Sequence, residues 1–171
     1  MKLDELPPVE VMCEGKFVRA LKRGKWEYAS RANEIRAVVI LAEHDGKTIL
    51  IDQPRVPLGA RCVELPAGLV GDVDPDATVE ATAVKELEEE TGFTAERVEV
   101  LGEFYSSPGM LSEGFTLVRA HGVRRIGEGG GDEHEDIAVH LVARADIPNF
   151  LEQKRAEGFG IDVKLLMFLD Y

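Results

Sequence analysis

The sequence predicts an α+β sandwich: strand-like runs come first, one amphipathic helix stands in the middle, and a second helical stretch closes the chain. Its 171 residues fit one domain of ordinary size, long enough to bury a core without disulfide staples. Hydrophobic residues make up 44% and charged residues 30%, a globular balance rather than a disordered one.

In chain order, residues 15–30 (GKFVRALKRGKWEYAS) alternate apolar and polar positions around Arg23-Gly24, which predicts an exposed hairpin. So short a sheet is marginal alone and needs something to pack against, such as a partner subunit. Residues 36–43 (RAVVILAE) and 47–52 (KTILID) are β-rich and joined by Asp45-Gly46, a strong two-residue hairpin signal. The main helix is expected over 75–91, with Asp74 as its cap, Pro75 in the first position, Asp76 near the positive end and Gly92 just past the last turn. Val79, Ala83, Val84 and Leu87 recur at helical spacing and form its buried stripe. Strands are expected at 97–105, 114–122 and 137–143, and 147–169 reads as helical around an interruption at Gly158 and Gly160. The glycine-rich run 127–131 (GEGGG) reads as a mobile loop.

Composition also excludes whole classes of function. A net charge of −12 argues against a nucleic-acid partner, whose phosphates must be met by Lys and Arg. No uncharged apolar run approaches the ~20 residues of a membrane helix. The start MKLDELPPVEVMCEGKF has no basic segment followed by an apolar one, so no secretory signal is read and the cytoplasm is the expected location. Cys13 and Cys62 form no CxxC and read as small apolar residues. Three chemical motifs fail on inspection. Asp72, Asp74 and Asp76 imitate the start of an EF-hand, but Ala77 and Ala83 replace its turn glycine and terminal Glu. GEGGG lacks the Lys-Ser/Thr ending of a P-loop, and the serines have no G-x-S-x-G setting.

What remains is acidic. Carboxylates cluster at 72–90 and again at 128–136, and such clusters repel unless cations sit among them. Glu86, Glu89 and Glu90 stand at i, i+3 and i+4, so they share one helix face about a turn long. Oxygen ligands at that density suit a hard cation such as Mg²⁺ or Mn²⁺.

Residues 85–93, KELEEETGF, resemble the second half of the Nudix box, G-x5-E-x7-R-E-U-x-E-E-x-G-U with U apolar: Glu86, Glu89, Glu90, Gly92 and Phe93 match, and Leu87 fills the apolar slot. Lys85 stands where the family has Arg, which removes a bidentate fork. Counting back from Lys85 puts Ala77 at the first Glu and Gly71 at the Gly; alternatively Gly68 is the family glycine and the extra residues follow it. Gln53-Pro54-Arg55 and Glu64-Leu65-Pro66-Ala67-Gly68 resemble the Q-(aromatic)-R and E-(L/F)-P-A-G runs of the ADP-ribose pyrophosphatase subgroup, with Pro54 in the aromatic place. Ser107-Pro108-Gly109 resembles a subgroup marker sixteen residues past Gly92, and Glu133-His134-Glu135-Asp136-Ile137 the acidic loop that delivers a catalytic Glu late in such chains.

The resemblance implies a Nudix α/β/α sandwich with a mixed sheet over 35–171, preceded by a small antiparallel sheet in a region, 1–34, that could form a dimer. It implies metal ligation by Glu86 and Glu90, with Glu89 as a further or water-mediated ligand and the Ala67 carbonyl as another. Glu135 would take the proton of the attacking water, with Glu133 as the alternative. Substrate binding would fall to Arg55, Gly68, Pro108 and Gly109, with Trp26 and Tyr28 stacking on a base across a homodimer. The implied reaction is hydrolysis of the diphosphate of a nucleoside diphosphate sugar, ADP-ribose to AMP and ribose 5-phosphate. GDP-mannose or another nucleotide sugar is the alternative substrate, and a catalytically weak nucleotide-sugar binding module the alternative function.

Overall fold

A computed structural model describes residues 2–33, 35–72, 74–132 and 135–169. Three strands, β1 (Glu10–Glu14), β2 (Val18–Arg23) and β3 (Trp26–Arg31), form an antiparallel sheet of their own. The Arg23-Gly24 turn lies where the alternation places it, and Gly24 takes a left-handed φ of 62°. β1 was not anticipated, although Val9, Val11 and Cys13 alternate with acidic and other residues; it extends the hairpin to three strands. This sheet docks on the rest through the loop 105–112, where Ala29 N–H donates to Met110 O at 2.9 Å and Ser112 N–H to Ala29 O at 3.0 Å.

The strands β4 (Arg36–Leu41), β5 (Glu43–His44), β6 (Lys47–Arg55), β7 (Ala60–Glu64) and β8 (Ala67–Val70) follow in quick succession. Asp45-Gly46 makes the predicted turn, with φ of 49° and 73°, and it closes β5 onto β6. The run 36–43 is not one strand, however. At Ala42 the chain changes sheets, so β4 pairs with β8 while β5 and β6 pair elsewhere. After helix α1 (Val79–Thr91) come β9 (Phe93–Thr94), β10 (Arg97–Phe104), β11 (Phe115–His121), β12 (Arg124–Arg125), β13 (Ala138–Ala143), helix α2 (Ile147–Ala156), β14 (Gly160–Ile161) and a closing 3-10 helix, Val163–Phe168.

One mixed sheet runs β10-β11-β4-β8, with β11 and β4 parallel. A second runs β13-β6-β7-β14, with β5 on β6. Alternation on the central strands sorts side chains into two cores. Val38, Ile40, Ile49 and Val118 face Ala83 and Leu87 of α1, whereas Val39, Leu50 and Leu117 face Leu151 of α2 together with Leu165 and Phe168. Helices thus cover both faces of the sheets. Each fully buried Leu or Ile stabilises this arrangement by ~1.5–3 kcal/mol.

Helix α1 starts four residues later than its sequence suggests. Asp74 accepts from the Asp76 N–H in a turn of its own, and Thr78 is the cap, its hydroxyl accepting from Ala81 N–H. The C-terminal end lies where expected: Gly92 adopts φ 73° and its N–H bonds to Glu88 O. The glycine-rich run is not a free loop, because Gly130 N–H donates to Glu90 O at 2.8 Å and Gly131 N–H to Glu89 O at 3.0 Å, capping the end of α1. The stretch 147–169 is helical only in part, since Gly160 and Ile161 form a short strand beside β7. Cys62 behaves as an apolar residue, its thiol pushed up to about 12 chiefly by burial, whereas Cys13 is exposed. Among the described residues no helix is long and apolar enough to cross a membrane.

Candidate active site

The end of β8, the loop after it, one face of α1 and the outer end of β6 enclose an open cleft of about 430 Å³. Ala67, Gly68, Arg55, Glu86, Glu90 and Glu135 all line it, so the structure brings together six residues singled out from sequence. Arg31, Gln53, Asp72, Asp74, Thr82 and Lys85 complete its polar wall.

Glu90 is the most constrained of these groups. It projects from the last turn of α1 and is only 3% exposed, where an acidic helix face would have been expected to stand in solvent. Its carboxylate accepts from the Ala67 N–H at 3.0 Å. Burial pushes its pKa up to about 8, and the charges of Glu86 and Glu135 push the same way against the Ala67 hydrogen bond and Arg55. Glu86, one turn back, is also raised, first by burial and then by Glu89, Glu135 and Asp72, with Lys85 opposing. Two carboxylates on one helix face are therefore each uncomfortable without a counter-charge.

Gly68 makes the approach of Glu86 possible. A Cβ at that position would stand 2.1 Å from the Glu86 carboxyl carbon, so any side chain there would evict it. At Gly71, by contrast, a Cβ would meet nothing closer than 3.9 Å. Of the two glycines that fit the motif, Gly68 is the one in contact with a carboxylate.

Arg55 reaches across from β6 and holds Glu64 bidentately, Nε to Oε1 and Nη2 to Oε2, both at 2.7 Å. Glu64 is 5% exposed, and this ion pair was the part of the site that sequence reasoning left without a role. A signal was present: both residues flank the hairpin β6-β7 in the matched QPR and ELPAG runs. The hydrogen bond to Glu64 raises the Arg55 pKa, and Glu90 adds to the same direction.

Other singled-out residues lie elsewhere. Glu89 is exposed and does not line the cleft; it pairs with Lys85 at 2.8 Å, which raises the lysine. Trp26, Tyr28, Pro108 and Gly109 gather around a separate, largely apolar depression of about 340 Å³ between the N-terminal sheet and the 105–112 loop. Glu133 lies outside the described residues.

Among the described residues no three His, Cys, Asp or Glu side chains form a ready metal cage. The donor set nevertheless fits a hard cation. Mg²⁺ is commonly held by one or two carboxylates plus substrate phosphates while keeping its own waters, and Glu86 with Glu90 on an open cleft offers that combination. A raised, buried carboxylate is what an attracting cation would restore to its charged form.

Known proteins resemble this chain over most of its length. It is 37% identical over 120 residues to the ADP-ribose pyrophosphatase of Bacillus subtilis, a match covering 69% of this chain and 63% of that protein, so it spans under two thirds of that relative. It is 35% identical over 158 residues to the GDP-mannose pyrophosphatase of Cronobacter sakazakii, covering 87% and 78% of the two chains. A crystal structure described as an ADP compounds hydrolase superposes with a TM-score of 0.67 at 25% identity, covering 86% of this chain and 82% of the other. The glycine seated under Glu86, the buried Glu90 and all but the C-terminal end of the two core layers stand inside residues 32–159, which match the NUDIX domain model, and the chain belongs to that family.

Proposed function

We propose that the chain hydrolyses the diphosphate linkage of a nucleoside diphosphate sugar, converting ADP-ribose to AMP and ribose 5-phosphate. The observation that carries this reading is the meeting of Glu86, Glu90 and Glu135 with Arg55 in one cleft. A cleft lined by both anionic and cationic groups suits a diphosphate that arrives with a divalent cation. The three relatives described above are named for hydrolysis of nucleotide sugars or ADP compounds, which supports the reading.

In this reading Glu86 and Glu90 hold Mg²⁺ or Mn²⁺, which when bound neutralises and orients the diphosphate. Arg55 and Lys85 attract the phosphates. Gly68 keeps the wall beside Glu86 open to them. Glu135 accepts a proton from the water that attacks phosphorus in line, and the bond from that phosphorus to the bridging oxygen breaks, leaving two phosphomonoesters. Burial of Glu90 and Glu64 keeps the charges in a poorly solvated wall, where they act more strongly than in water.

The apolar depression holding Trp26 and Tyr28 suits an adenine, and a second copy of the chain would present it to the cleft. GDP-mannose is the second substrate reading, favoured by the Cronobacter relative, whose match is the longer of the two. Incubating purified protein with a panel of nucleotide sugars, with Mg²⁺ or Mn²⁺ and with EDTA, and identifying both products, tests all of this. Cation-dependent release of AMP and ribose 5-phosphate is the expected result. Binding without turnover on any member of the panel would leave a nucleotide-sugar binding module instead.

A further inference from the structure

Glu135 is fastened from both sides. On its N-terminal side the glycine run is packed against the end of α1 with no room to spare. A Cβ on Gly129 would stand 2.3 Å from the Thr91 carbonyl carbon, and one on Gly92 would stand 2.5 Å from Gly127 O. Ile126 and Gly127 N–H both donate to Gly92 O, at 2.8 and 3.0 Å, next to the bonds from Gly130 and Gly131 to the last carbonyls of the helix. Asp132 N–H then donates to the Glu135 carboxylate at 3.2 Å, and a Cβ on Gly131 would stand 2.4 Å from that same oxygen. These glycines permit contact rather than motion.

On the C-terminal side the neighbour of Glu135 is held by an arginine. Arg61, on β7, donates through Nη1 to the Asp136 carboxylate at 2.5 Å and through Nη2 to the Asp136 carbonyl at 2.9 Å. Its Nε is fixed in turn on Asp52 at 2.5 Å, and Asp52, 2% exposed, also meets His140 Nε2 at 2.6 Å and Lys154 Nζ at 3.6 Å. Burial acts to raise Asp52, but the hydrogen bonds from His140 and Arg61 outweigh it and hold the carboxyl below its ordinary range. Asp52 is thus a charged anchor inside the β6-β7-β13 sheet, and Arg61 carries its grip outward to the Glu135 loop.

We propose that Arg61 is a positioning residue that, with the Gly92–Gly129 seam, holds Glu135 preorganised against the helix bearing Glu86 and Glu90, rather than letting it swing in on a mobile loop. This rests on the reading of Glu135 as the proton acceptor. Misplacing a reacting group by about 1 Å can cost on the order of 10²-fold in rate, so a tether of this kind has a measurable effect.

The test is a double-mutant cycle on kcat at saturating Mg²⁺ with ADP-ribose. Arg61→Lys keeps a cation beside Asp52 but loses the fork, and Asp136→Ala removes only an exposed carboxylate, so at least one variant should fold. Each should lower kcat by roughly 10-fold with little change in KM, and in a Glu135→Gln background the loss should shrink to about twofold or less. An equal loss in both backgrounds overturns the proposal. If Glu135→Gln alone keeps its rate, the reading of Glu135 fails and the anchorage is judged by amide exchange in the intact protein. Gly130 and Gly131 should then exchange as slowly as the last turn of α1 and speed up at least 10-fold in Asp136→Ala or Arg61→Lys; loop-like exchange in the unmodified protein overturns the anchorage as well.

Discussion

The Glu86 carboxylate crosses the bare face of Gly68, so close that a methyl group on Gly68 would stand 2.1 Å from its carboxyl carbon. The contact joins β8 to α1 and sets where the first of the two helix carboxylates can point. Gly68→Ala should therefore leave the fold intact but push Glu86 out of the cleft. Hydrolysis should fall by roughly 10²-fold or more, since a displaced ligand misplaces everything it orients. Circular dichroism alongside steady-state kinetics checks it, and near-normal kcat in a folded Gly68→Ala protein would remove Gly68 from the site.

Glu90 should be indispensable in a different way. Glu90→Gln keeps the side chain's shape and an oxygen for the Ala67 N–H, which now donates at 3.0 Å, but removes the charge. The expected outcome is a folded protein with hydrolysis nearly abolished, matching the effect of excess EDTA on the unmodified chain. Full activity under either condition would overturn the metal assignment.

The same residue governs stability without metal. Its carboxyl lies at about 8 against an ordinary 4.5, mainly because it is buried. The folded state holds that proton more tightly than the unfolded chain does, so the stabilisation is full below pH 4.5 and is lost as pH rises through about 8. The loss is on the order of a few kcal/mol. Denaturant midpoints of the cation-free protein should fall over that window, and Glu90→Gln should flatten the slope. Saturating Mg²⁺, which favours the charged form, should recover most of the loss at the alkaline end. A flat profile in the unmodified protein would show Glu90 to be better solvated than its burial implies.

What could be read from the sequence was what depends on local chemistry. Asp45-Gly46 signals a turn because both residues accept positive φ, and Gly92 signals a helix end for the same reason. The i, i+3, i+4 spacing put three carboxylates on one side of α1, yet it could not tell that Glu90 turns inward under β8 while Glu89 turns out to Lys85. That division depends on which strand lies against the helix. Asp74-Pro75-Asp76 misled because it satisfies the preferences of a helix start, while Thr78, a competent cap, stands closer to the apolar stripe. GEGGG misled because glycine serves close packing as well as freedom, and only the partner across the seam tells which. Asp52, Arg61, Asp136 and His140 meet through strand register over 88 residues of sequence, which no local pattern encodes.

Dimerisation is the expectation that the N-terminal sheet raises. Val11, Met12, Phe17, Val18 and Trp26 are all exposed there, at 45% or more. Exposed apolar side chains at this density on a three-stranded sheet are costly in solvent unless some are covered. The expected result is a dimer at micromolar concentrations by sedimentation. If the adenine site is completed by the second copy, Trp26→Ala should raise KM for ADP-ribose by roughly 10-fold, in keeping with about 1–3 kcal/mol for a stacked base, and leave kcat nearly unchanged. A monomer at those concentrations would count decisively against the shared site.

Arg55 and Glu64 give the last prediction, because their pairing separates substrate binding from structure. Glu64 is buried and its two oxygens are both taken by Arg55, so Arg55→Ala leaves a buried carboxylate without its cation. That should cost about 1–3 kcal/mol of stability, the scale for leaving one buried polar group unsatisfied, because Arg55 itself is half-exposed. The double variant Arg55→Met with Glu64→Gln removes both charges and should recover most of that stability. If Arg55 also binds phosphate, KM for ADP-ribose should stay raised by roughly 10-fold in the double variant while its stability returns toward that of the unmodified protein. Arg55→Lys should behave like the alanine variant in KM, since an ammonium cannot grip Glu64 with a fork and still face the cleft. Recovery of both KM and stability in the double variant would make Arg55 a structural partner of Glu64 and nothing more, and would leave Arg31 and Lys85 as the cleft cations that meet the diphosphate.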